Sequence, residues 1–139
     1  MSKIPFQVGQ KVTFSKTIGE TDIYLFAGIT GDFSPNHINE QYMSGTAYKK
    51  RIAHGVLSLG ISSTASTKIA QMSTMTCVSY GYDHVRFVKP IFINDTITVN
   101  YTISEIDESQ MKTIATIEIV NQNSDICTVA RHILKFFDE

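Results

Sequence analysis

From position 96 onward the apolar residues fall on alternate positions. Ile97, Val99, Tyr101 and Ile103 alternate with Thr98, Asn100 and Thr102, the period of two that marks a strand with one buried face. Residues 113–120 repeat the pattern, with Ala115, Ile117 and Ile119 on one side. Residues 126–137 and 78–88 are two further runs of strand character, and the segments at 94–95, 107–109 and 121–125 separate the four as turns. Consecutive strands joined by short turns predict an antiparallel meander. Pro90 has no N–H for a ladder, so it ends or bulges the run at 78–88.

Up to about residue 72 the pattern is helical and irregular instead. Thr21 suits an N-cap, Ile23, Phe26, Ala27 and Thr30 follow at helical spacing, and Gly31 stands where a glycine stops a helix. A second helix is expected over 53–70, AHGVLSLGISSTASTKIA, uncharged until Lys68 and rich in small residues. A helix with no polar face belongs inside the protein. The sequence therefore predicts an α+β chain with an antiparallel sheet wrapped around one long central helix, the hot-dog architecture.

Length and composition narrow the function. A chain of 139 residues with 42% apolar content is expected to form a single domain over 1–139. Its 12 basic and 13 acidic residues leave a net charge of −1, which gives no reason to expect a nucleic acid or membrane partner. Cys77 and Cys127 have no CxxC spacing and are expected as buried, reduced thiols. No His/Cys/Asp group has metal-ligand spacing, so no metal is expected. No signal segment opens the chain and no window is apolar for about 20 residues, so a cytoplasmic protein is expected.

The densest chemistry lies in Gly31-Asp32-Phe33-Ser34-Pro35-Asn36-His37. A helix stops at Gly31, and a carboxylate and an imidazole follow five positions apart on a turn stiffened by Pro35. Such a pair can converge on one water molecule. Adding water to an activated double bond needs two proton transfers, and a general acid–base pair supplies typically about 10²–10⁴ in rate. An imidazole titrates near neutral pH. Spacing alone fits a plainer account as well, in which Asp32 caps the turn and His37 is a surface loop residue. The second element is Arg51-Ile52-Ala53-His54-Gly55, which opens the second helix. N–H groups in a first turn lack intrahelical partners and sit at the positive end of the dipole. Gly55 lets a ligand approach them, or serves only close helix–sheet packing.

Together, FAGITGDFSPNH and RIAHGVLSLGISS resemble the MaoC-like (R)-specific enoyl-CoA hydratase family, whose pattern is a helix ending in Ser/Thr-Gly-Asp, then x-Asn-Pro-Leu/Ile-His, then a helix opening with His-Gly. The stretch HVRFVKPIFINDTITV is similar to the family's Arg-Phe-x-x-Pro strand pair, and the likeness runs over residues 5–137. It implies Asp32 and His37 as the catalytic pair and Gly55 as the backbone donor to a thioester carbonyl. Ser63 matches the helix serine near the active-site polar network, with Ser62 beside it as the alternative. It further implies reversible syn hydration of trans-2-enoyl-CoA to the (R)-3-hydroxyacyl-CoA, without metal or redox cofactor, coenzyme A being part of the substrate. A homodimer with joined sheets is implied, with higher homo-oligomers open. The loop departs from the pattern at Ser34, Asn36 and Asn39, and Asn36 is expected to bear on substrate choice.

Lys50, Arg51 and Arg86 are candidates for the coenzyme A phosphates, with Lys49 and Lys89 as further basic residues; a solvated basic turn accounts for 49–51 equally. His54 is expected to be structural, its ring satisfying a loop carbonyl. His84 and His132 are expected as ordinary strand residues. Tyr42 and Met43 are candidates for shaping an acyl tunnel. Two other functions fit the architecture: a thioesterase, disfavoured because 53–70 carries no Asp or Glu, and a non-catalytic acyl-CoA-binding subunit, disfavoured by the retained Asp32 and His37.

Overall fold

The structure is a computed structural model that describes residues 4–138. All four expected strands are present, β2 (Thr76–Phe87), β3 (Thr96–Asp107), β4 (Lys112–Val120) and β5 (Ile126–Phe137), but the meander runs only through β3, β4 and β5, because β2 crosses over to pair with β5 instead of β3. An additional strand, β1 (Lys11–Thr17), precedes them. The five form one antiparallel sheet in the order β1-β3-β4-β5-β2, so β1 and β2 are its edges. The alternation read from the sequence is the pleat itself. Ile97, Val99, Tyr101 and Ile103 on β3 are fully buried, as are Ala115, Ile117 and Ile119 on β4.

In the first half, α1 (Glu20–Thr30) ends at Gly31, whose φ of 82° is the left-handed conformation that glycine adopts freely. Two short helices were not anticipated: α2 (Pro35–Ile38), with Pro35 at its first position, and α3 (Glu40–Ser44), capped by the Asn39 side chain on the Tyr42 N–H. The expected helix at 53–70 starts at Gly55 and divides into α4 (Gly55–Ile61) and α5 (Ser63–Ala70). Serine chemistry accounts for the break. Ser58, Ser62 and Ser66 each turn a hydroxyl back onto the carbonyl three residues earlier, on Gly55, Leu59 and Ser63, and such back-bonding bends helices.

Nor is this helix buried all round. Ser58, Ser62, Ala65, Ser66 and Ile69 face inward, where α4 meets β5 and α5 meets β1 and β3. Val56, Gly60, Ser63 and Thr67 form an exposed stripe along the other side. The sheet's inner surface covers one face of the helix, and the described residues leave the opposite face exposed.

Neither strand histidine is ordinary. His84 has a φ of 53° and lies at the register shift between Asp83 and Arg86 that kinks β2. His132 on β5 is fully buried. Its Nδ1 is 2.8 Å from the Tyr101 hydroxyl, its Nε2 is 2.7 Å from Ser79 Oγ, and Tyr82 stacks on the ring at 4.4 Å. Burial pushes its pKa down to about 4 and raises that of the Tyr101 phenol.

Candidate active site

The turn after α1 is built around Asp32. Its Oδ1 accepts the Ser34 N–H at 3.2 Å, a local bond that holds the start of α2. The other oxygen, Oδ2, lies 3.9 Å from His37 Nε2. The plain account of Asp32 as a turn cap is therefore true of one oxygen and leaves the second facing the imidazole. His37 is not the surface residue that spacing alone allowed, because its ring is largely buried. Its Nδ1 is 2.8 Å from the Ile52 carbonyl, which only accepts, so Nδ1 carries a proton. In the neutral ring Nε2 is then a lone pair, and it points at the carboxylate.

His54 completes the group. Its Nε2 donates to the Asp32 carbonyl at 3.0 Å, the loop-carbonyl role expected of it. Its ring stacks on His37 with centroids 3.7 Å apart and 25° between planes. Ligand atoms of Asp32, His37 and His54 thus lie within 4.8 Å of one another, a cluster invisible to local spacing. One nitrogen of each ring is already committed to a main-chain carbonyl, so what remains turned toward the opening is an acid–base pair with a second ring behind His37.

Two cavities meet here. One of about 250 Å³ is lined by Phe26, Thr30, Asp32, His54 and Val56, and the other, of about 200 Å³, by Tyr48, Lys89, Ile91 and Thr128 among others. His37, Gly55 and Phe87 line both and divide them. Gly55 is the first residue of α4, and no carbonyl of the described residues takes its N–H. Phe87 packs directly over it: a Cβ on Gly55 would lie 2.7 Å from the ring. Both accounts of this glycine therefore hold, since it is closely packed and its amide is open.

The remaining expectations divide. Ser63 is exposed at the start of α5 and lines neither cavity, while Ser62 spends its hydroxyl on Leu59. Ser58 is the helix serine tied to the cavity lining, bridging the Gly55 carbonyl at 2.6 Å and the cavity residue Thr128 at 2.8 Å. Arg51 is not free for phosphates. It binds Glu20 and Glu40 at 2.7 Å each and the Tyr24 hydroxyl at 2.6 Å, and these partners hold its pKa above the ordinary value. Lys50 lies over the Phe92 ring and Arg86 donates to the Val85 carbonyl. Lys89, which pairs with Asp125 at 3.2 Å, is the cation that lines a cavity. Asn36 is exposed and lines neither cavity, so its side chain does not reach the pair. Tyr42 is exposed and Met43 sits in the core, so neither shapes the cavities. Phe26, Tyr48, Val56, Phe87 and Thr128 were missed, because they come from five separate segments that only the fold brings together.

The family model described as "MaoC like domain" matches residues 4–124. The (R)-specific enoyl-CoA hydratase of Rhodospirillum rubrum is 41% identical over 97 residues, 69% of this chain and 65% of that protein. The chain thus spans slightly under two thirds of that relative's length. The (R)-specific enoyl-CoA hydratase of Aeromonas caviae is 26% identical over 135 residues, 97% of this chain and 98% of that one. The solved structure of an (R)-hydratase from A. caviae superposes with a TM-score of 0.86 over 94% of this chain and 97% of that chain, at 24% identity, which establishes the hot-dog fold.

Proposed function

Because the chain belongs to the MaoC-like domain family, we propose that it adds water reversibly to trans-2-enoyl-CoA and forms the (R)-3-hydroxyacyl-CoA. The observation that carries this reading is the 3.9 Å gap between Asp32 Oδ2 and His37 Nε2 at a cavity edged by Gly55. That gap exceeds a direct hydrogen bond and suits one water that touches both groups.

In this mechanism His37 Nε2 takes a proton from the water as its oxygen bonds to C3 of the enoyl group. The π electrons move through C2 to the thioester oxygen, where the Gly55 N–H and the positive end of the α4 first turn receive the charge. Donors of this kind are each worth on the order of 10²–10³ in rate. The imidazolium then returns a proton to C2 and the carbonyl re-forms. The sum is one water added. Both new bonds form on the side where the pair lies, so the addition is syn. Asp32 orients the water and offsets the transient charge on His37. No metal or redox step is required.

Lys89, at the mouth of one cavity, and Lys50 are the cations proposed to meet coenzyme A phosphates. A homodimer is proposed through β2, whose outer edge is unpaired among the described residues and which carries the exposed side chains Val78 and Tyr80.

Loss of the enoyl absorbance of crotonyl-CoA, with the chirality of the product, tests the reading. Asp32→Asn keeps an Oδ1 acceptor for Ser34 and removes the carboxylate charge, so it should abolish turnover in a folded protein. His37→Ala should do the same. Normal turnover in either variant refutes the mechanism, and thiol release without hydration replaces it with hydrolysis.

A further inference from the structure

His54 touches every part of this machinery without facing the cavity as a free group. The residue is 3% exposed. Its ring is held between the edge contact of Phe26, with centroids 4.8 Å apart, and the stacked face of His37. Its Nε2–H bonds the main chain of Asp32, and its own carbonyl leads into the Gly55 peptide at the start of α4. Its Nδ1 is buried and has no partner among the described residues. A buried acceptor left unpaired is unfavourable, and packing alone gives no reason to carry one. An imidazole used only for packing is therefore a poor choice at this position.

We propose that His54 is a positioning residue for the acid–base pair: its ring fixes the plane and tautomer of His37, and its N–H fixes the main chain that carries the Asp32 carboxylate. This rests on the hydratase reading for its effect on turnover and on geometry alone for its effect on His37. The Ile52 carbonyl sets which nitrogen of His37 is protonated only while the ring stays in its present flip. A half-turn about the Cβ–Cγ bond exchanges the two edges and presents carbon where Nε2 stood. The stacked His54 face and the buried wall behind it oppose that rotation. The bond to the Asp32 carbonyl acts on the other partner, holding the loop at the height that sets the 3.9 Å gap.

Three variants separate the two roles. His54→Phe keeps a ring without the donor, His54→Gln keeps an N–H without the ring, and His54→Leu keeps neither. The expected result is a fall in kcat of about 10²-fold for His54→Leu, the scale of a misplacement of about 1 Å, with KM for crotonyl-CoA within about twofold. His54→Phe and His54→Gln should each recover part of kcat. Imidazole ¹⁵N spectra of the free enzyme give a readout that packing alone does not move. His37 should show one Nδ1–H tautomer in the wild type and a mixture in His54→Leu and His54→Gln. If His54→Leu does not fold, His54→Gln decides by the same two measurements. Unchanged kcat in a folded variant overturns the proposal. So does a loss of kcat with the His37 tautomer unaltered, since His54 would then act by another route. A wild-type protein that does not hydrate enoyl-CoA sinks the hydratase reading, while the tautomer comparison still decides whether His54 positions His37.

Discussion

Gly55→Ala is the smallest change that reaches the site. The added Cβ would stand 2.7 Å from Cγ and Cδ1 of Phe87 and 2.9 Å from Cδ2, where ordinary contact begins at 3.4 Å. The ring must therefore retreat by about 0.7 Å, the difference of those two distances. Gly55 does not have a positive φ, so alanine meets no backbone strain there. Stability should hardly change, and any loss should appear in catalysis. Phe87 lines both cavities, so its retreat displaces whatever lies against the amide. A misplacement approaching 1 Å costs about 10²-fold, or about 2.7 kcal/mol of barrier. We expect kcat/KM for crotonyl-CoA to fall by about that factor, with Tm within a few degrees. Adding Phe87→Leu removes the ring the methyl strikes and should return much of the loss, measured against Phe87→Leu alone. Wild-type kcat/KM in Gly55→Ala refutes the close approach as functionally relevant. An unrelieved loss in the double variant refutes the steric argument.

Other outcomes follow from the same geometry. His132 should make stability depend on acid: its folded pKa of about 4 lies below the ordinary 6.5, so the unfolded chain binds more protons between those values. Stability is then full above about pH 6.5 and declines as pH falls toward 4, by up to about 3 kcal/mol. Urea midpoints for wild type and His132→Phe should lose stability at different rates over that window, and parallel curves would contradict the assignment. Arg51→Met should lower stability on the order of 1 kcal/mol, since its carboxylate partners are half exposed, with KM for the CoA substrate unchanged; Lys89→Ala should raise that KM, and the reverse pattern in steady-state kinetics would overturn the phosphate assignment. Chelator treatment should leave kcat unaltered, and recovery of lost activity by an added divalent cation would show that Asp32, His37 and His54 hold an ion. Sedimentation should find a dimer for the wild type and a monomer for Val78→Lys/Tyr80→Lys, and a wild-type monomer removes the β2 assembly.

The strands were legible because their period of two is the pleat, while the crossover of β2 to β5 was not, since alternation carries no strand order; the approach of Asp32 to His37 was legible because the two share one short turn. β1 escaped because Val12 and Phe14 are the only apolar residues in KVTFSKT, a half-exposed edge strand with a weak pattern. The break after Ile61 escaped because serine back-bonding acts through hydroxyl orientation, which helical periodicity does not register. Arg51 was misjudged because a cation's use depends on the carboxylates the fold places beside it. Glu20 and Glu40 are 31 and 11 positions from Arg51. The divider Phe87 became visible only once the β2 end lay over the α4 start.

One carboxylate at position 32 serves two masters through its two oxygens, the first securing architecture and the second facing the imidazole. Asparagine and serine can make the architectural bond as well, so a descendant that abandoned catalysis would still be selected to keep a small oxygen-bearing side chain there. Among kindred chains an acid at this place is consequently an ambiguous fossil. The imidazole edge turned toward it carries no comparable scaffolding duty, and its survival is the more telling sign of a living enzyme.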